Sequence, residues 1–390
     1  MNGPVVRMAA LVVLLSLNLR TVFASLPPLL NEVRHDLGLS AGVAGLLTTL
    51  PVVLLGALAP LAPRLARRTT IEWLLVACAL LTAVGCGLRG AGGVVALFAG
   101  TMVAGAGIAI AQALIPVLIR DRYPDATGPL TGAFSGALTI SAALGSGLAV
   151  PIENLLDVGW RASLSAWALP GLVAAVAWLP RALHSRTLLV GGPVASLVRI
   201  PLAWSVAVFF AMQSMAFYGA LAWLPSVLRA SGYHAGSAGA LQALAQTVQL
   251  VPAFLVSVLA ARSRDQTMLM AVVVLLSVVG FLGILAAPAA APLWMVVLGL
   301  GQGGALGLAL ILPLLRGGDV RTVAALTAMT LCVGYLIASL GPFLLGAVHD
   351  VTGDWTGPML VLIAIAAAEV VPGLYASRAR LVAPALAASG

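Results

Sequence analysis

Apolar residues run through this chain in blocks of about 20, parted by short polar segments that hold most of the arginines. A block of that length fits an α-helix crossing a hydrocarbon core, because about 20 residues rising about 1.5 Å each cover about 30 Å. The blocks predict twelve spans, near 8–30, 41–63, 70–88, 93–116, 128–151, 162–180, 202–227, 236–260, 267–287, 292–314, 322–346 and 356–376. Glycine and proline recur inside them, which membrane helices tolerate because neighbouring helices satisfy the freed backbone groups. Arg7 and the apolar stretch after it give the N-terminus a faint leader-peptide pattern. Arg20 interrupts that stretch and more spans follow, so the first block reads as a retained helix.

Composition agrees with this pattern. Of 390 residues, 61% are hydrophobic and 8% charged, whereas a soluble globule carries about a quarter charged residues. The net charge is +8, but all 20 basic residues are arginine, grouped between apolar blocks rather than along one face. One set of connecting segments holds Arg7, Arg64, Arg67, Arg68, Arg120, Arg122, Arg181, Arg186, Arg199, Arg262, Arg264, Arg316, Arg321, Arg378 and Arg380. The opposite set holds Arg34, Arg89, Arg161 and Arg229. The richer side is expected to be cytoplasmic, with both termini on it, in a multi-pass inner-membrane protein. Nucleic acid is not an expected partner. Cys78, Cys86 and Cys332 fall inside apolar blocks with neither zinc nor disulfide spacing. No catalytic, metal or cofactor constellation stands out, so enzymatic activity, a cofactor and a metal are not expected.

The chain repeats itself. Gly38-Leu-Ser-Ala-Gly-Val-Ala-Gly45 before span two matches Gly232-Tyr-His-Ala-Gly-Ser-Ala-Gly239 before span eight at five of eight positions, at an offset of 194. Ile115-Pro116 through Arg120 at the end of span four is echoed by Leu312-Pro313 through Arg316 at the end of span ten. The expected organisation is an N-terminal six-helix half (1–180), a cytoplasmic linker (181–201) and a C-terminal six-helix half (202–390). Parallel repeats of this kind underlie the major facilitator architecture.

Several stretches resemble one branch of that superfamily, the cyanate permease and nitroimidazole transporter-like proteins. They include Asn18-Leu19-Arg20 with Ser25-Leu26-Pro27-Pro28, and Asp36-Leu37-Gly38-Leu39-Ser40 through Leu50-Pro51 to Arg67-Arg68. Arg122-Tyr123-Pro124-Asp125, Gly159-Trp160-Arg161, Trp223-Leu224-Pro225 and Gly334-Tyr335 through His349-Asp350 to Gly353 complete the set. The resemblance covers nearly the whole chain. It implies an all-α membrane protein of the major facilitator fold, with twelve transmembrane helices in two pseudo-symmetric six-helix halves. It also implies a carrier of small anions or small nitrogen-containing solutes. The loop between spans two and three departs from the superfamily pattern: Ala59 and Ala66 replace its glycines and Pro63 its aspartate. Thr101 stands where an arginine tied to proton coupling is common.

Arg20 lies about 18 Å into span one, at about 1.5 Å per residue. A charge at such depth costs at least about 2.5–3.5 kcal/mol, and arginine cannot shed it. The expected role is to meet a small anion. Gln242, Gln246 and Gln249 follow an i, i+4, i+7 spacing that puts them within about 60° on one helix face of span eight. Gln112, Gln213, Tyr218 and Tyr335 add polar groups at useful depth, and with Arg20, Gln242 and Gln246 they form the candidate substrate-binding set. Gln302, among glycines, reads as packing. Glu369, His349 and Asp350 are candidates for proton binding or gating, although Glu369 reads better as a structural pair with an arginine or the backbone. The chain is expected to act as a monomer, moving a small, cyanate-like anion by alternating access. Rival readings are export of small drugs or nitroaromatic compounds, which would favour a more aromatic pocket, and a non-transporting membrane sensor.

Overall fold

A computed structural model describes residues 3–39, 41–156, 159–185 and 194–382. Ser40 of the repeat, Arg186 and the Gly191-Gly192-Pro193 stretch of the expected linker lie outside the described residues, as does the Arg34 side chain.

The described chain is helical, without a strand. Eleven of its helices are long and apolar enough to cross a membrane: Gly3–Leu29, Ile71–Gly90, Gly93–Arg122, Pro124–Glu153, Gly159–His184, Pro201–Ala230, Ser237–Arg262, Thr267–Ala286, Pro288–Arg316, Val320–Thr352 and Thr356–Ser377. The helix Ala41–Leu58 supplies the remaining span, the second in chain order. This is the expected twelve-helix architecture. Spans four and seven, each 30 residues, outrun their predicted ends because the helix continues past the apolar block. Arg120 and Arg122, expected in a connecting segment, belong to the last turn of span four.

Packing divides the chain into two compact units, one of Met1–Ala126 with Ala137–Gly192 and the other of Thr127–Gly136 with Pro193–Gly390. In the first, span three packs on spans four and six; in the second, span nine packs on span ten and span seven on span eleven. Lipid tails are as apolar as leucine, so burial alone does not drive helices together; close van der Waals contact between small residues does. Gly85 is such a contact. A Cβ there would stand 2.4 Å from the Ala104 nitrogen and 2.6 Å from the Gly100 carbonyl oxygen. Span ten makes the equivalent approach in the second unit, where a Cβ on Gly301 would stand 2.4 Å from the Ser277 nitrogen. The opposite faces carry exposed apolar side chains, such as Val176 at 69% and Leu275 at 61%, the pattern of a surface that meets hydrocarbon.

The internal repeat is visible in the backbone. Gly38 and Gly232, equivalent in the repeat, both adopt positive φ, at 62° and 97°, a conformation that costs any other L-residue. Each turns the chain into the helix that follows.

Arg89 corrects the reading of the sequence. Expected in an outer connecting segment, it lies within the last turn of span three and is 1% exposed. At the other charged helix end of interest, Arg316 donates to the carbonyl oxygens of Ala376 and Ser377 at 2.6 and 2.8 Å and to Gln266 Oε1. It thereby satisfies carbonyls that the end of span twelve leaves open.

Two glycines of span three provide a test. Gly85→Ala should destabilise the detergent-solubilised protein by about 1–3 kcal/mol through overpacking. Gly87→Ala, where a Cβ meets nothing within 4 Å, should leave the melting temperature unchanged or slightly raised.

Candidate functional site

Span one is not a continuous helix. It is regular from Gly3 to Ser16 and resumes at Thr21–Ala24. Between them the ladder first tightens, with Asn18 and Leu19 donating to Leu15 and Ser16 at 3.0 Å. Arg20 then leaves helical geometry, at φ −122°, ψ −12°. The N–H groups of Arg20 and Thr21 donate instead to Ser141 Oγ of span five, at 2.9 and 3.0 Å, and Ser141 Oγ donates to the Leu17 carbonyl at 2.8 Å. One hydroxyl has two lone pairs and one proton; all three are used, and each serves a backbone group of the break. In a bilayer such groups have no water to turn to, so Ser141 is what permits span one to unwind at Arg20.

Span five reaches this position because Gly145, one turn after Ser141, has no side chain. A Cβ there would stand 2.9 Å from Thr21 Cα and 2.9 Å from Ala24 Cβ. Further bonds brace the break. Asn18 Nδ2 donates to Leu14 and Pro170 carbonyls, Thr21 Oγ1 to the Asn18 carbonyl, and Arg89 Nη1 to the Val22 carbonyl at 3.1 Å. Arg20 itself is 9% exposed. On a continuous helix Ser16, Phe23, Ala24 and Pro27 would share the Arg20 face by spacing; the break removes that register. Ser16 turns back on its own helix, donating to the Val12 carbonyl at 2.6 Å.

The acids of the first unit that form ion pairs do so far from the break in sequence. Glu72 and Asp121 pair with Arg122 at 3.4 and 3.2 Å, and Asp36 pairs with Arg161 at 2.6 Å. The break itself is braced by the Ser141 hydroxyl, the Asn18 amide and the Arg89 guanidinium. Gln112, on span four of the same unit, is buried.

In the second unit the structure brings Tyr218 of span seven and Tyr335 of span eleven together, with ring centroids 6.4 Å apart. Tyr335 also meets Phe210 edge-on at 5.2 Å. Gly334 yields the room for that ring. Gln213 is buried and its Oε1 accepts from Ser214 Oγ at 3.3 Å. Gln242 and Gln246 stand half-buried on span eight. The predicted stripe of three amides ends early, because the regular helix stops at Val248 and Gln249 occupies the joint. At that joint a Cβ on Gly303 would lie 2.4 Å from the Gln249 carbonyl oxygen, so Gln249 belongs to the contact with span ten.

The structural pair expected for Glu369 is not formed. Glu369 is fully buried at a joint in span twelve, and among the described residues neither carboxyl oxygen has a hydrogen-bond partner. His349 lies in the last turn of span eleven, with Nδ1 2.8 Å from the Asp354 carbonyl oxygen and its ring stacked on Trp355 at 3.9 Å. Asp350 beside it is exposed. Ser141 escaped the sequence reading, Arg89 was expected in a connecting segment, and Gln302, expected to serve packing, has a buried amide with neither atom hydrogen-bonded among the described residues. Only Gln302 carried a sequence signal, a lone amide in an apolar block.

Comparison with known proteins supplies the context for this arrangement. The sequence model of the Major Facilitator Superfamily matches residues 8–342. A 2-nitroimidazole transporter of Escherichia coli (strain K12) is 34% identical over 380 residues, covering 94% of each chain. The cyanate transport protein CynX of the same organism is 32% identical over 367 residues, covering 92% of this chain and 95% of its own. Among solved structures, the proton:xylose symporter XylE bound to 6-bromo-6-deoxy-D-glucose aligns with a TM-score of 0.73 over 94% of both chains at 14% identity, a likeness of fold alone.

Two substitutions test the site as described. Ser141→Ala strands two N–H groups and a carbonyl, and should lower stability by roughly 2–5 kcal/mol, read as a large drop in melting temperature in detergent. Ser141→Thr, which keeps the hydroxyl, should fall between. Glu369→Leu removes a buried carboxyl that makes no hydrogen bond, and should leave the melting temperature unchanged or raise it. A marked fall would reveal a partner.

Proposed function

The chain belongs to the Major Facilitator Superfamily, in its cyanate and nitroimidazole transporter branch, and from that premise we propose that it carries a small monoanion, cyanate-like in size, with Arg20 as the counter-charge. That it is a membrane transporter rather than an enzyme follows the family. The anion and the role of Arg20 are the proposal.

The observation that carries it is the break in span one. A transmembrane helix that unwinds around an arginine and is held unwound by a hydroxyl from a neighbouring span resembles the discontinuous helices with which carriers build their solute sites. A regular helix would need no Ser141 bridge, and a merely structural arginine would need no break. Arg20 attracts the anion and offsets its charge. Gln112 of the same unit supplies a neutral donor and acceptor that sorts anions by shape, while Gln213, Tyr218, Gln242, Gln246 and Tyr335 remain candidate solute contacts within the second unit. Bringing a counter-charge to an arginine that is 9% exposed is electrostatically favourable. An occluded, loaded form is thereby favoured, as alternating access requires. The arginine bias supports an inner-membrane orientation with both termini cytoplasmic, and the carrier is taken to act as a monomer. Glu369, His349 and Asp350 remain candidates for proton binding or gating.

A second reading, export of small nitroaromatic compounds, draws on the relative named as a 2-nitroimidazole transporter. A thermal-shift screen of the purified protein separates the two. Cyanate, nitrate and formate at constant ionic strength should each raise the melting temperature of the wild type, and Arg20→Gln should lose at least tenfold in apparent affinity for them. If 2-nitroimidazole stabilises and no anion does, or if Arg20→Gln keeps the anion response, the anion reading fails.

A further inference from the structure

Arg89 closes span three with a guanidinium that is 1% exposed. Gly100 of span four makes room for it, since a Cβ there would stand 3.0 Å from Arg89 Cγ and 2.7 Å from the Arg89 nitrogen. The side chain reaches the break in span one, where Nη1 donates to the carbonyl of Val22, two residues past Arg20. That bond fixes the plane of the guanidinium and leaves one edge over. Among the described residues, Nε and Nη2 have no hydrogen-bond partner. The Cys86 thiol, one turn back on the same helix, makes a further polar contact with the guanidinium, but a thiol is a weak acceptor and cannot satisfy two charged donors.

The charged groups on the packed elements do not answer it either. On span three itself Glu72 is 17 residues away, about 25 Å along the helix, and it pairs with Arg122 of span four, as does Asp121. In the helix Gly159–Ala166, which leads into span six, Arg161 pairs with Asp36. Span one contributes Arg7 and Arg20, of the same sign. A buried charged donor without an acceptor is costly, and arginine keeps its charge.

The unused pair has a specific shape. Nε–H and Nη2–H are parallel and lie on one side of the guanidinium, the fork that takes two coplanar oxygens at once. We infer that this edge of Arg89 binds a planar oxyanion of the carboxylate or nitrate type in bidentate fashion, at the break in span one. The inference rests on the anion reading above and narrows it. A linear anion such as cyanate or azide offers a terminal atom to one N–H. A planar oxyanion engages both and is the preferred solute.

The test compares planar with linear anions. Purified protein is titrated with sodium formate, nitrate, azide and thiocyanate at constant ionic strength, with thermal shift as the readout. The wild type should prefer the planar pair by about tenfold or more. Arg89→Lys keeps the charge without the fork, so it should still respond to anions while its planar-over-linear ratio falls to about one. A variant that fills the edge from within guards against loss of folding. Cys86→Asp places a carboxylate against the guanidinium and should raise the melting temperature without added anion and abolish the formate response. A wild-type ratio in Arg89→Lys, or an undiminished formate response in Cys86→Asp, overturns the inference and spares the anion reading. An anion response untouched by Arg20→Gln overturns that reading instead.

Discussion

Inside a bilayer, a backbone that leaves the helical ladder must find another partner for every N–H and C=O it releases. The whole arrangement around Arg20 depends on that requirement being met by one hydroxyl. Ser141 Oγ accepts from the N–H groups of Arg20 and Thr21 and donates to the Leu17 carbonyl. With those three bonds in place, the arginine sits on backbone that is neither helix nor loop. Without them two N–H groups and a carbonyl would stand unbonded at the break. Span five can deliver the hydroxyl because Gly145 lets its backbone approach Thr21 and Ala24, so glycine content in one helix sets the conformation of another.

The same logic runs through both units. Gly85 against Ala104, Gly301 against Ser277 and Gly303 against Gln249 are backbone-to-backbone approaches that a methyl group would prevent. They also decide which polar side chains end up buried. Span ten turns its glycines toward spans eight and nine, leaving Gln302 on another face. Gly100 clears the space that Arg89 fills. Close packing and polar chemistry are therefore coupled: each missing side chain admits either a backbone or a functional group.

Much of the architecture was legible from the chain. Blocks of apolar residues gave the spans to within a few residues, because hydrocarbon thickness fixes their length. The repeat was legible too, since Gly38 and Gly232 both need a left-handed turn and glycine is the residue that supplies it. What escaped notice was tertiary. Nothing in a serine between Ile140 and Ala142 signals that its hydroxyl will enter a neighbouring helix. Arg89 was misread because its Cα lies near a helix end, where arginine ordinarily reaches water; its side chain turns inward instead. Helical spacing from Ser16 to Pro27, and from Gln242 to Gln249, presumed ladders that the structure interrupts. Glu369 was given a partner because a buried carboxylate ordinarily has one, yet its joint in span twelve supplies none among the described residues.

The break in span one has a mechanical consequence. A regular helix is stiff because bending it means stretching several ladder bonds at once. For the N–H groups of Arg20 and Thr21 and the carbonyl of Leu17 the ladder is replaced by a single hydroxyl, whose proton rotates about the Cβ–Oγ bond and whose lone pairs accept over a broad range of angles. Span one therefore behaves as two rigid rods joined by a compliant hinge, and Arg20 stands on the hinge itself. The bond from Arg89 to the Val22 carbonyl ties the second of those rods to span three.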